Sequence, residues 1–333
     1  MVVYLIVVVV SLSEYSESNF LLIKESEMEL STSKVAESVT NLYRRCVIVR
    51  FGISKWDGKK SCDEEKTKIA DTRGLLMKVN LFQNDERFKA ITRVDSDARS
   101  FVNKHTNVWS HGEKLLSMKR FDFFVSKMNQ FEDLYTNAWS KFLEEDNYEK
   151  SVLSSIDYWR QHSRDDWKDT ITQADYPHPD ELRYRFDFRH DYLQVPDGDF
   201  KVQVANDVLV DIQAKQTRLL ENQLFESMTK LCDDIKDGLV KASERLADLP
   251  VPKVTKTDTI YHQSFKDTIV TNITDLCSVA HDLNLTDDPR ITDLINETQK
   301  AVANCDAKQL RESDSVRHTV KRNIDDVLSK FNL

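Results

Sequence analysis

Along the chain the spacing of apolar residues switches between alternation and a helical step of about 3.6, and each switch marks an element. From Tyr43 to Trp56 the sequence reads YRRCVIVRFGISKW, with Cys46, Ile48 and Arg50 alternating against Val47, Val49, Phe51 and Ile53. This β-branched alternation, bounded by Gly52 and Asp57-Gly58, predicts a strand running into a turn. The spacing then lengthens. Residues 61–80 read as a helix capped by Ser61 or Asp63, with Ile69, Leu76 and Val79 inward. Residues 84–104 read as a second helix carrying Phe88, Ile91, Val94, Ala98, Phe101 and Val102. After a break at Val108-Trp109-Ser110-His111-Gly112, Phe121, Phe124, Val125, Met128, Phe131, Tyr135, Ala138, Trp139 and Phe142 recur at three- and four-residue steps. That is a buried helix face. Residues 150–168 repeat it more weakly through Val152, Ile156 and Trp159.

Tyr176-Pro177-His178-Pro179-Asp180-Glu181 reads as a loop opening a short helix. Beyond it Tyr184, Phe186 and Phe188 alternate with Arg183, Arg185, Asp187 and Arg189, the pattern of a strand with one buried face. The 46–54 strand is its natural partner. From Leu224 onward Met228, Leu231, Ile235, Leu239, Ala242, Leu246 and Leu249 form a coiled-coil-like seam that Pro250 and Pro252 end. A second run, Phe265, Ile269, Ile273, Leu276, Ala280 and Leu283, predicts an antiparallel hairpin across the 250–258 connection. Asp288-Pro289 opens a shorter helix through Ile291, Leu294 and Ile295, and Asp306 a last one through Val316, Val320, Ile324, Val327 and Phe331. The expected fold is α+β and predominantly α-helical. A small strand pair sits in an N-terminal helical domain, residues 28–200, followed by a C-terminal helical hairpin or bundle, residues 201–333.

Composition narrows the function more than any motif does. Only six glycines and six prolines occur in 333 residues. Phosphate-cradling loops, dinucleotide turns and nucleophile elbows need glycine where the backbone takes positive φ or a ligand approaches closely. Gly52, Gly58, Gly74, Gly112, Gly198 and Gly238 are too far apart to build any of them. A hydrophobic content of 40% with 31% charged residues fits a soluble globular chain of two or three folding units. The formal charge of −9 argues against a non-specific nucleic-acid coat. Cys46, Cys62, Cys232, Cys277 and Cys305 are widely spaced and odd in number, so they read as buried thiols in a reducing cytoplasm.

The first ten residues, MVVYLIVVVV, are apolar but far short of the ~18–20 residues that span a bilayer, and no basic region or cleavage site accompanies them. Met28-Glu29-Leu30-Ser31 would make a natural start for a soluble protein, so residues 1–27 are expected to be a dispensable extension. The sequons at Asn272, Asn284 and Asn296 would matter only in a secreted chain. No membrane association is expected.

Candidate chemistry is sparse. His178 with Asp180 and Glu181, and His190 with Asp191, could supply metal ligands only if the two segments met. Neither a metal nor a cofactor is expected, and nothing reads as an activated nucleophile, so the chain is expected to be non-enzymatic. The aromatic-basic alternation at Arg183, Tyr184, Arg185, Phe186, Phe188 and Arg189, with Arg44, Arg45, Arg50, Lys55, Lys59 and Lys60 upstream, has two readings. Exposed aromatics could stack bases while the cations hold phosphates. Alternatively the aromatics face a core and the arginines face water.

The order of landmarks carries a resemblance. Ile53-Ser54-Lys55-Trp56-Asp57-Gly58-Lys59-Lys60 follows the first strand, Asn107-Val108-Trp109 precedes the long aromatic helix, and Asp175-Tyr176-Pro177 leads to the aromatic strand and Val195-Pro196-Asp197-Gly198-Asp199-Phe200. Over residues 40–245 this resembles a family of phage and prophage proteins of unknown function. Its members share an ISxWxGxK opening, a tryptophan loop and a YP…FxF…P centre. The family has no established catalytic residues. Its genes often lie beside those of MoxR-type AAA+ ATPases and von Willebrand factor A proteins. The resemblance therefore implies a phage-type accessory, assembly or adaptor protein, with such an ATPase as the expected protein partner. It makes Trp56 and Trp109 interaction candidates. The chain departs from the family at Val108, where a proline usually precedes the tryptophan.

Overall fold

The computed structural model describes residues 39, 41–61, 78–163, 171–196, 206–247, 268–303, 309–310 and 313–332. A single helical turn, α1 (Leu42–Arg45), leads into strand β1 (Cys46–Ser54). Two short strands follow, β2 (Lys59–Ser61) and β3 (Lys78–Asn80), paired antiparallel with Lys59 opposite Asn80. Both ends of the segment expected to be helical over 61–80 are therefore strand, and residues 62–77 lie outside the described residues. Tertiary anchoring overrides the helical spacing here. Trp56 on one side and Leu81 and Phe82 on the other are buried in one core, and the Leu81 amide donates to the Gly58 carbonyl at 2.7 Å.

Helix α2 (Glu86–His105) begins where Asp85 accepts from the Phe88 amide at 2.9 Å. The tryptophan loop supplies β4 (Asn107–Val108), a short turn and β5 (Lys114–Ser117). Then come α3 (Phe121–Phe142) and α4 (Glu145–His162). The Pro179 segment forms α5 (Pro179–Leu182), with proline in the first turn. The aromatic strand starts later than its alternation implied. Arg183–Arg185 is a 3-10 turn, and β6 runs Asp187–Gln194.

The four-stranded sheet has the order β4-β5-β1-β6, and each neighbouring pair is antiparallel. The expected pairing of the two main strands is present, from Val47 opposite Gln194 to Ser54 opposite Asp187. Because side chains alternate across a strand, β1 feeds two cores. Val49, Leu116 and Phe188 are buried with α2 and α3, while Cys46, Ile48 and Leu115 are buried with the C-terminal helices. The alternation of β1 is thus two half-patterns, each apolar.

The C-terminal helices are α6 (Asn206–Leu246), α7 (Thr268–Leu283), α8 (Pro289–Val302) and α9 (Asp314–Lys330). Helix α6 packs on α7 and α9, and α8 closes the ring between those two, so the expected hairpin is one side of a four-helix bundle. The seam from Leu224 to Leu246 is buried throughout, against Ile273, Ala280, Ile291, Leu294 and Ile324 among others. Asp288 caps α8 as expected, accepting from the Arg290 amide at 2.9 Å. Helix α9 is capped by Ser313 rather than opened by Asp306, and residues 304–308 lie outside the described residues. Between α7 and α8 Asn284 is buried, its Nδ2 donating to the Asp288 carbonyl (3.0 Å) and to Thr292 Oγ1 (3.2 Å), so this sequon is committed to the turn.

Trp109 and Val195, both N-terminal to residue 200, share the bundle's core together with Cys46, Ile48 and Leu115. The sheet is the layer between that bundle and the α2–α3 layer.

Gly58 is fixed by two constraints at once. Its φ is +62°, and a Cβ there would lie 2.7 Å from the Phe88 ring, whereas nothing lies within 4 Å of a Cβ built at Gly52. Gly58→Ala is predicted to cost about 1–3 kcal/mol in urea unfolding, while Gly52→Ala stays within about 0.5 kcal/mol.

Candidate interaction surface

The residues singled out along the sequence divide sharply between core and surface. Trp56 is buried, its ring edge-on to Phe82 and Phe88 at centroid distances of 5.8 and 6.1 Å. Trp109 is buried under the bundle. The loop carrying it is pinned on both sides: Asn107 Nδ2 donates to the Leu283 carbonyl at 3.1 Å, and Ser227 Oγ donates to the Val108 carbonyl at 2.5 Å. Phe186 stacks on Trp139 with planes 4° apart, and Phe188 packs against Phe51 and Tyr135. Both phenylalanines are buried, so neither ring is open to a base. Tyr184 alone of the alternating aromatics is on the surface, 92% exposed at the 3-10 turn.

Six cations of the same segments have carboxylate partners. Arg183 meets Asp180 at 3.5 Å and Arg189 meets Asp187 at 2.7 Å. Upstream, Arg45 pairs with Asp287 (2.5 Å), Arg50 with Glu113 (2.7 Å), Lys55 with Asp95 (2.5 Å) and Lys60 with Asp175 (2.7 Å). Arg44 lies over the Tyr43 ring at 5.3 Å. Phosphate binding draws on cations free to release counterions, and these are largely neutralised within the chain. Lys59 and Arg185 are exposed and have no ion-pair partner among the described residues.

The histidine segments do not converge on a metal geometry. His178 Nδ1 accepts from the Asp180 amide at 3.3 Å and caps α5. His190 turns toward α3, where Nε2 meets Glu132 at 3.2 Å and Nδ1 meets the Tyr192 hydroxyl at 3.1 Å. Asp191, the next residue in the strand, points to the other face. Among the described residues no three His, Cys, Asp or Glu side chains come together as a metal site. No described helix is long and apolar enough to cross a membrane.

A feature that sequence reading did not find is a charged seam between the N-terminal elements and the bundle. Lys104 meets Asp275 at 2.8 Å, Arg120 meets Asp282 at 3.2 Å, and Arg45 and Lys119 converge on Asp287 at 2.5 and 3.9 Å. The basic partners lie on one side and the acidic ones on helix α7 or the turn after it. These pairs are partly exposed and each is worth little, so they orient the bundle more than they hold it. The buried Asn107 bond and the Trp109 side chain contribute more.

His105 sits at this seam against Phe101 and Phe123, and its Nδ1 lies 3.1 Å from Arg120 Nη1. Burial first, then the Arg120 and Lys104 charges, pull its pKa from 6.5 down to about 4. The ring is therefore neutral at pH 7 and accepts from the guanidinium. The thiols of Cys46 and Cys232 are pushed up to about 12, and that of Cys277 to about 11, mainly by burial. All three are buried, as their spacing implied; Cys62 and Cys305 lie outside the described residues.

Between pH 6.5 and 4 the unfolded chain binds a proton at His105 that the folded chain does not. The stability this gives is present above pH 6.5 and is lost as pH falls through that window. The loss is on the order of 1 kcal/mol once the partial exposure of the ring is allowed for. Urea midpoints measured from pH 7 to pH 4 are predicted to drop less in His105→Gln, which keeps a neutral acceptor, than in the parent. No family model, curated protein or solved structure matches the chain.

Proposed function

We propose that this protein is a non-enzymatic accessory or assembly protein that binds a partner protein through a helical surface. A length mismatch inside the bundle carries the reading. Over the described residues helix α6 runs for 41 residues, against 16, 14 and 17 for α7, α8 and α9. At about 1.5 Å per residue it extends for about 60 Å, and its three partners for only about 21–26 Å. Among the positions whose burial is described, from Ile212 on, the buried ones begin at Leu224. From Ile212 to Gln223 no residue is buried, and Leu219 is 56% exposed. Ile212 and Leu219 stand at the i and i+7 positions that an adjacent helix would use as anchors, while Leu220 already packs against the bundle core. This half of α6 also lies within the stretch that resembles the phage and prophage family. That resemblance is what suggests a phage-type accessory role, and it makes a MoxR-type AAA+ ATPase, with its von Willebrand factor A companion, the first partner to test.

A second reading, a phage nucleic-acid-associated protein, rests on Tyr184 standing exposed between Arg183 and Arg185. Its support is narrow: one exposed ring and one guanidinium without an ion pair among the described residues, beside cations already paired with carboxylates.

Capture of the tagged chain from cells that contain such an ATPase separates the two. Recovery of the ATPase, weakened at least tenfold by Leu219→Glu with an unchanged melting temperature, is the predicted result. Recovery of nuclease-sensitive complexes that Leu219→Glu leaves intact and Tyr184→Ala abolishes would overturn it in favour of the second reading.

A further inference from the structure

Within the described residues the sheet ends on β6. Among the described residues β6 has β1 on one side and no strand on the other. Which of its backbone groups face outward follows from the ladder. The Trp109 amide donates to the Glu113 carbonyl at 3.1 Å, in the same register as Asn107 opposite Leu115. Leu115 therefore turns its N–H and C=O toward β4, and its neighbours Lys114 and Leu116 turn theirs toward β1, opposite Val49 and Val47. Ile48, Arg50, Gly52 and Ser54 are left to bond β6, where they face Leu193, Asp191, Arg189 and Asp187. Ile53, whose carbonyl points away from β6, accepts there from Arg99 at 3.1 Å. Phe188, His190 and Tyr192 consequently direct their backbone donors and acceptors out of the sheet, and among the described residues no strand or turn bonds them there.

We infer that this edge is a dimer interface: two copies of the chain pair their β6 strands antiparallel about His190, joining two four-stranded sheets into one. The outward groups are the ones this pairing needs. His190 lies opposite its own copy and Phe188 lies opposite Tyr192 of the second copy, giving about six backbone hydrogen bonds. The side chains choose the register. Asp187, Arg189 and Asp191 are exposed on the face away from α3. With the dyad at His190, each Arg189, which also meets Asp187 of its own chain at 2.7 Å, stands directly across from an Asp191, at the non-hydrogen-bonded positions where opposed side chains are closest. A dyad at Arg189 would instead oppose arginine to arginine and Asp187 to Asp191. A dyad at Asp191 would oppose the two aspartates. Charges on an edge strand usually prevent association, but this alternating set repels its own copy in the neighbouring registers and attracts it in one. The other sheet edge is β4, only two residues long, so pairing through β6 closes at two chains and does not propagate.

Light scattering coupled to size-exclusion chromatography, run on the full chain across a dilution series, tests the inference. A dimer is expected. Arg189→Asp places aspartates across both charged positions, and Asp191→Arg places arginines there, so each is expected to weaken the dimer at least about tenfold. The Arg189→Asp/Asp191→Arg double variant restores the attraction and is expected to recover the dimer, which a merely local structural effect would not do. Circular dichroism melts confirm that each variant folds. A parent chain that stays monomeric at the highest concentration overturns the inference. So does a dimer that neither single reversal weakens, or one that the double variant fails to recover.

Discussion

The rest of the structure depends on the burial of β1 on both faces. Ile48 and Val49 are consecutive residues, yet one is enclosed by the bundle and the other by the α2–α3 layer. Leu115 and Leu116 repeat the division on β5. Burying a side chain of this size is worth about 1.5–3 kcal/mol, and these residues draw that from two different cores. Neither core closes without the sheet. The tryptophan loop extends the same logic, because Asn107, Val108 and Trp109 carry the sheet's other edge into the bundle.

That architecture consumes most of the groups that could have served a ligand. Trp56, Trp109, Phe186 and Phe188 fill cores, three thiols are buried, and the basic residues flanking the main strands are matched to carboxylates. An acidic chain can neutralise its own cations in this way because carboxylates outnumber them, 56 to 47. Among the described residues, the surface retains the Ile212–Gln223 stretch of α6, the exposed Tyr184 and the outer edge of β6.

Much of the fold was legible because its signals are local. The Phe121–Phe142 face, the Leu224–Leu246 seam and the Asp288-Pro289 cap each lie within a few turns of chain, and each appears where its spacing put it. The 61–80 helix failed at its ends for the opposite reason. Leu81 and Phe82 are held by an aromatic core assembled from residues as distant as Phe142 and Tyr176, and no window of sequence contains that core. Tyr184 continued the alternation of Phe186 and Phe188 in sequence, but the chain is still in a 3-10 turn there, so the ring left the buried face. The charged seam was illegible altogether. Arg45 and Asp287 are 242 residues apart, and nothing about either residue alone names the other.

Native-state hydrogen exchange followed against denaturant tests the shared sheet most directly. If β1 joins both cores, the amides of β1 and those of α6 from Leu224 to Leu246 converge on one isotherm, that of global unfolding. An opening in which the α6 amides exchange at low denaturant while β1 keeps its full protection would contradict the account, because it would mean that the sheet stands without the bundle over its second face.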